Sequence, residues 1–517
     1  MTTIDKLDDG RMTDRLAGWI VTITITLAAF GLRFVGFWNP RNLVFDETYY
    51  PKDAWSLLHY GYEREWPPRE TVDPLIAAGS PFQLNEGPAF IVHPPLGKWL
   101  IALGEQMFGL NSFGWRFMSV IFGTMLVFLT IRFARRLSRS TLVGGIAGVL
   151  LTFDGLAFVM SRIGLLDIFQ ATFTLAAVAC VLADRDWFRH RLADHLRDKG
   201  LVDLGGAFGP LLLWRPWRVL AGVMFGAACA VKWNSLYVLA AFGIVSVLWD
   251  VSARRLAGAS RAAYKSLFID APLAFISLVV LAVLVYLSTW WGWLTTDGGY
   301  QRQWGAQHPD DPLVKAIGAP LASLWQYHKD MFQFHTQGIL GSTHTYASHP
   351  ATWLLMIRPL GIDAVNDIQP GVDGCDAPAG STCLRVISAM GTPLLWWLAA
   401  IALFVGVFYW LSGRDWRFSV PVIATLAVWL PWFPSANRTI FFFYAVVMIP
   451  FTVTGLALWL GKILGSADDR RRRQRAMLVG VLIFLVMVNF AFIYPVLTDG
   501  LLTRAQWLMR MWFPTWI

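Results

Sequence analysis

Two adjacent carboxylates, Asp46 and Glu47, stand in the stretch Val44-Phe45-Asp46-Glu47-Thr48-Tyr49-Tyr50, just after a long apolar run. Carboxylates so placed can accept or hold protons. A second stretch, His93-Pro94-Pro95-Leu96-Gly97-Lys98-Trp99, opens a helix with two prolines and puts Lys98 in its first turn. A lysine there opposes the helix dipole and is tolerated where an anion binds, so Lys98 is a candidate phosphate ligand. Further charges interrupt or border apolar runs: Arg33, Arg116, Asp154, Arg162, Asp167, Lys232 and Arg438. Ionisable groups in such runs are costly and mark function. Basic groups grip phosphate, and a carboxylate beside them handles a proton. The set suits a reaction on a phosphorylated lipid.

The elements that must carry these residues are membrane helices. The chain has 517 residues, of which 56% are hydrophobic and only 15% charged. A soluble chain carries roughly 25% charge. Disorder, a DNA-binding module and a cytosolic enzyme are therefore excluded for the chain as a whole. The 27 Trp and 36 Phe suit interfacial aromatic belts. About eleven apolar runs approach the roughly 20 residues that a hydrocarbon core demands. They lie near 16–37, 113–131, 141–160, 163–183, 217–231, 235–250, 267–292, 391–411, 418–433, 439–460 and 476–496. The first reads as an anchored span rather than a cleaved leader.

Alternate inter-span segments are basic: Lys6, Arg11 and Arg15; Arg132, Arg135, Arg136 and Arg139; the 184–218 loop; Arg254, Arg255, Arg261 and Lys265; Arg414 and Arg417; and Arg470 to Arg473 with Arg475. This asymmetry puts the N-terminus in the cytoplasm and the C-terminus outside. It also converts the net charge of +9 from a hint of nucleic acid into a topology signal. On this topology the chain divides into a cytoplasmic tail 1–15, a transmembrane core 16–292 with a catalytic first outer loop 38–112, a second large outer loop 293–390, and C-terminal helices 391–517. The intrusive charges then all lie at the outer face, at headgroup depth. Within the first outer loop, Asp46–Tyr62 and His93–Phe108 show helical apolar spacing and read as interfacial helices.

In order along the chain, Phe45-Asp46-Glu47, His93 to Lys98, Arg116, Asp154-Gly155, Arg162 to Asp167 and Val231-Lys232-Trp233 resemble the protein O-mannosyltransferase family. So do Ser342-Thr343-His344-Thr345-Tyr346 with Trp353, Leu430-Pro431-Trp432 with Arg438, and Pro514-Thr515-Trp516-Ile517. Eukaryotic members carry a large β-trefoil insert where this chain has only 293–390, so the resemblance is to the bacterial branch. It implies an all-α polytopic membrane protein of GT-C fold in the cell membrane. It also implies a polyprenyl-phosphate-mannose donor and Ser or Thr acceptors on secreted polypeptides, with the Sec translocon as an expected partner and no nucleic acid.

The resemblance further implies one-step inversion from a β-linked donor, with base and leaving group on opposite faces of the sugar. Asp46 is then the candidate base, and Glu47 orients the acceptor. Lys98, Arg116, Arg162 and Lys232 hold the donor phosphate. Arg33, His93, Asp154, Asp167 and Arg438 support them. His344 and Tyr346 line the acceptor cleft, and Trp353 stacks on sugar or covers the site. The basic groups can stand in for a metal, so no cofactor and no metal is expected. His328, His335, His344 and His349 match no standard zinc spacing. Cys375 and Cys383 can bridge if their polar segment faces an oxidising compartment.

Two rival readings differ in class. Another GT-C enzyme would pass a polyprenyl-phosphate sugar to a lipid or cell-wall glycan. A lipid flippase or transporter would instead place charges at the membrane midplane on internally repeated elements, a pattern this sequence lacks.

Overall fold

The computed structural model describes residues 2–8, 14–466 and 468–517. Arg11, one of the basic residues read as cytoplasmic, lies outside them. Among the described residues, eight helices are long and apolar enough to cross a membrane by length and composition. They are Arg15–Phe34, Ser112–Ser138, Asp167–Asp198, Ser235–Leu256, Ser260–Ser288, Pro393–Leu411, Trp416–Ser435 and Arg472–Leu497. Three shorter apolar helices join them, Thr141–Thr152, Pro216–Val231 and Ile449–Leu464. Each apolar run read from sequence overlaps one of these, though 141–160 breaks after Thr152 and 439–460 becomes α-helical only from Ile449.

Local chemistry sets several of the starts. The Asn111 side chain accepts from the backbone N–H groups of Phe113 and Gly114, and Ser140 Oγ accepts from Val143 N–H. Both satisfy donors that a helix start leaves orphaned. Pro216 occupies the first turn of Pro216–Val231, where its missing N–H costs nothing. Asp167–Asp198 is the innermost long helix, with 83% of its apolar window buried. Pro216–Val231 packs along it and presents Gly222 and Gly226 to the Ser260–Ser288 helix. A Cβ on Gly222 would stand 1.9 Å from the Ser277 carbonyl oxygen. Small residues four apart allow this close backbone approach between membrane helices.

The two expected outer loops, 38–112 and 293–390, cover one end of the bundle. In the first, the expected helix from Asp46 is broken: a 3₁₀ turn Phe45–Thr48 precedes a helix Tyr50–Tyr60. The second expected helix runs Leu96–Phe108. These two helices pack together, and Ala54, Leu57, Ile101 and Ala102 on them are all buried. The second outer region holds the helix Ala319–Gln333, which continues into a π-turn Phe334–Gly338.

One small sheet accompanies the helices. A small antiparallel sheet forms from β1 (Leu360–Ile368), β2 (Cys383–Ala389) and β3 (Leu502–Thr503), in that order. Leu360 lies opposite Ala389, and Ile368 opposite Cys383. A disulfide joins Cys375 to Cys383, with Cα atoms 5.7 Å apart. Because β3 comes after Arg472–Leu497, the sheet ties the second outer region to the chain's last segment.

Candidate active site

Asp46 sits in the short turn that follows the first span. Phe45 before it has φ 50°, a left-handed backbone that a phenylalanine adopts only under constraint. The constraint is visible on both sides. The Phe45 ring packs edge-on to Phe441 and Phe443, at 5.5 and 5.9 Å. Glu47 is buried and accepts four hydrogen bonds. Arg116 Nε and Gly164 N–H reach Oε1, both at 2.7 Å. Arg116 Nη2 at 2.6 Å and Val44 N–H at 3.0 Å reach Oε2. The turn is thus clamped by Glu47 and pinned by Phe45.

The Asp46 carboxylate lies between these anchors. It is half-buried and accepts no side-chain hydrogen bond among the described residues. Burial raises its pKa to about 6, with Lys232 opposing and Asp167 adding to the rise. Lys232 emerges at the end of Pro216–Val231 and donates to both Asp167 oxygens, at 2.9 and 2.8 Å. Its ammonium also lies 4.9 Å over the Tyr444 ring. Trp432 stacks on Tyr444 at 4.8 Å, and the Arg438 guanidinium lies 5.7 Å from Trp432. His93 is driven well below the ordinary histidine range, by burial first and then by Lys232 and His335. It is therefore neutral at physiological pH. The cluster holds a poised carboxylate, an ammonium and a guanidinium around an aromatic floor.

Several expected phosphate ligands are elsewhere engaged. Arg116 spends its five N–H groups on Glu47 and on the carbonyls of Phe37, Pro40 and Asn42. It is fully buried and has nothing left for a phosphate. Lys98 is buried against Glu63 and donates to the His93 carbonyl, so the anion it faces is the protein's own. Arg162 donates to the carbonyls of Leu32, Arg33 and Val35, capping the first span. Arg33 bonds Ser161 Oγ and the carbonyls of Ala29 and Leu151. Asp154 caps a short helix through Ala157 N–H and accepts from Trp396 Nε1, both at 2.7 Å. These five residues build the end of the bundle that carries the site.

The acceptor-side residues divide as well. Trp353 is wholly buried, donates to Ser348 Oγ and packs on Trp432, so it is core and offers no face to a sugar. His344 is exposed, 5.1 Å from Phe441 and 6.5 Å from Phe45. Tyr346 N–H donates to His344 Nδ1, and the Tyr346 ring carries Arg358 at 4.9 Å. His344 therefore borders the Asp46 turn, and Tyr346 lies behind it.

A sequence model of dolichyl-phosphate-mannose-protein mannosyltransferase matches residues 23–191. A model of the C-terminal four-TMM region of protein-O-mannosyltransferase matches residues 320–516. The polyprenol-phosphate-mannose–protein mannosyltransferase of Mycobacterium tuberculosis is 37% identical over 511 residues, covering 97% of this chain and 92% of that one. The chain belongs to the protein O-mannosyltransferase family. The relative of the same name in Corynebacterium glutamicum is 34% identical over 481 residues, covering 92% of this chain and 88% of its own. The solved Saccharomyces cerevisiae protein O-mannosyltransferase Pmt1-Pmt2 complex bound to the sugar donor matches with TM-score 0.71 at 11% identity. That match covers 99% of this chain and 94% of the other, and gives this family member the GT-C fold.

Within this family member, sequence reasoning missed several partners. Glu63 neutralises Lys98 from a different segment, 35 positions away. Tyr444 and His335 enter the cluster from segments distant in sequence, the 3₁₀ turn Phe442–Val447 and the π-turn Phe334–Gly338. Trp233 Nε1–H donates to Tyr286 Oη at 3.0 Å, and Tyr286 Oη lies 2.6 Å from His328 Nε2. Only the dipeptide Lys232-Trp233 signalled any of this. Among the described residues, no three His, Cys, Asp or Glu side chains gather as metal ligands would.

Proposed function

We propose that the enzyme transfers mannose from polyprenyl-phosphate-mannose to Ser or Thr hydroxyls of secreted polypeptides, at the extracytoplasmic face of the cell membrane and with inversion. The names of its relatives in Mycobacterium tuberculosis and Corynebacterium glutamicum support the donor and the protein acceptor. The basic inter-span segments support the orientation, with loop 38–112 and region 293–390 outside. Delivery of the acceptor by the Sec translocon fits that face.

The observation that carries the mechanism is the under-paired Asp46 carboxyl beside the Lys232–Asp167 pair. The acceptor oxygen attacks C1 of mannose while the C1–O bond to phosphate breaks. The hydroxyl proton passes to Asp46. A phosphodiester with one negative charge becomes a monoester carrying more, and Lys232 and Arg438 stabilise that gain. Leaving as phosphate, the lipid needs no strong acid. Asp167 keeps Lys232 charged and aimed. A base titrating near 6 is ionised at neutral pH and still able to take a proton.

Asp46→Asn in membranes tests this, with mannose followed from polyprenyl-phosphate-mannose onto a Ser/Thr-rich peptide. Turnover falls about a thousandfold; retained turnover overturns the base assignment. A polyprenyl-phosphate-arabinose donor in the same assay separates the rival GT-C chemistry.

A further inference from the structure

Arg438 reaches the site from the loop before Ile449–Leu464, yet no residue of that loop hydrogen-bonds its guanidinium. Its Nη1–H groups point to a single residue of the second outer region, lying 3.3 Å from His335 Nδ1 and 3.3 Å from the His335 carbonyl. Arg438 Nε is buried and has no partner among the described residues. The opposite ring nitrogen of His335, Nε2, lies 2.7 Å from the Val92 carbonyl oxygen. A carbonyl only accepts, so Nε2 carries the proton. A guanidinium only donates, so Nδ1 must offer its lone pair. Neutral imidazole in one tautomer satisfies both demands. Burial lowers the ring's pKa and so favours that neutral form.

The placement of His335 is unusual. It lies in the π-turn Phe334–Gly338, an irregularity enriched at functional sites. The chain just beyond pairs with the arginine's own segment, Leu340 bridging to Arg438. The His335 ring also lies 5.4 Å from His93 and 6.1 Å from Trp233, the neighbour of Lys232. Three segments distant in sequence therefore meet at one imidazole.

We propose that His335 is a positioning residue for transfer, its neutral ring fixing the Arg438 guanidinium at the donor phosphate that Lys232 also faces. The inference rests on the assignment of Lys232 and Arg438 to that phosphate. Nε2 anchors the ring to the first outer loop, and Nδ1 holds Nη1 so that the rest of the guanidinium is oriented toward the ligand. His335 touches neither sugar nor phosphate.

A mutant cycle on the full-length enzyme in membranes tests it, with initial rates taken per folded enzyme at varied polyprenyl-phosphate-mannose and varied peptide. Arg438→Ala lowers kcat/KM for the donor about a hundredfold. His335→Gln still reaches Val92 but has no acceptor at the Nδ1 position, and it lowers kcat/KM for the donor about tenfold with peptide KM unchanged. His335→Asn places an oxygen where Nδ1 accepts and stays within about threefold of wild type. The double variant Arg438→Ala with His335→Gln is no slower than Arg438→Ala alone. Losses that multiply, or His335→Asn as slow as His335→Gln, overturn the positioning role while leaving Arg438 at the phosphate. Full activity in Arg438→Ala overturns the phosphate assignment instead. His335→Ala completes the same cycle if His335→Gln does not fold.

Discussion

One long helix, Asp167–Asp198, carries charged clusters at two levels, and they are built differently. Asp184 lies about 25 Å along the helix from Asp167 at 1.5 Å per residue. There, Arg215 bonds Asp184 and Asp250 together, with Nε–Asp184 at 3.0 Å and Nη1–Asp250 at 2.6 Å. Arg254 grips Asp270 with two nitrogens at 2.9 and 3.1 Å and lies 3.7 Å from the Phe208 ring. Each of these guanidinium groups is buried and matched by carboxylates. At the Asp167 level the matching is incomplete. Among the described residues, Asp46 accepts no side-chain hydrogen bond, and Arg438 keeps a buried Nε without a partner. The difference teaches that charge in an apolar run is ambiguous by type alone. A missing partner alone does not separate the levels, since Arg218 on Asp250 also keeps a buried Nε without a partner among the described residues; the Asp167 level differs in adding an under-paired carboxylate, Asp46, beside its cations.

Breaking the contrast at its sharpest point gives the largest effect. Asp46→Asn removes about a thousandfold of turnover while the protein still folds. Arg215→Ala does the reverse. It strands buried carboxylates and costs about 3–5 kcal/mol of stability. A thermal inactivation curve in detergent shifts strongly downward, while turnover per folded molecule at low temperature stays near wild type. Lys232→Met is intermediate, lowering kcat/KM about a hundredfold and also leaving Asp167 unpaired. Equal losses of folding in Lys232→Met and Arg215→Ala would erase the distinction between the two levels.

The pH dependence sharpens it further. Transfer needs Asp46 ionised, so kcat/KM falls as pH drops below about 6, tenfold per unit. The residual rate of Asp46→Asn lacks that limb. Stability runs the other way. The folded pKa of Asp46 is raised above 3.8, so the folded state binds its proton more tightly, and the ionised form is destabilising above about pH 6. Asp46→Asn therefore gains a small increment of thermal stability at pH 7.5 that vanishes near pH 4. This is the smallest of the expected effects, and a melting series across pH measures it.

What could be read without coordinates follows the same division. The spans were legible because composition and the period of apolar residues are local properties. Asp46 stood out as a candidate because a carboxylate after a proline-ended span is a local pattern. The partners were not. Glu47 and Arg116 are 69 positions apart. Nothing in either neighbourhood says that they consume each other, so adjacent carboxylates of opposite fate read as a pair of catalysts. Lys98 has an unfavourable helix-dipole position, correctly read as a demand for an anion. Glu63 meets that demand from another segment. The hairpin of β1 and β2 was missed because its burial does not alternate cleanly along β2. Its turn is rich in Gly, Pro and Asp, which reads simply as loop.

The helix Asp167–Asp198 has 32 residues, hence a length of about 48 Å. A hydrocarbon core is about 30 Å thick. With Asp167 in its first turn and Asp184 locked into an ion-pair lattice further along, this helix works as a gauge block. On the proposed assignment of Lys232 to the donor phosphate, it sets the height at which Lys232 meets an incoming headgroup relative to the bilayer's other surface. Lipids of different chain length tilt such a rod or thin around it. The acyl composition of the surrounding membrane thus becomes a determinant of how well donor phosphate and ammonium come level.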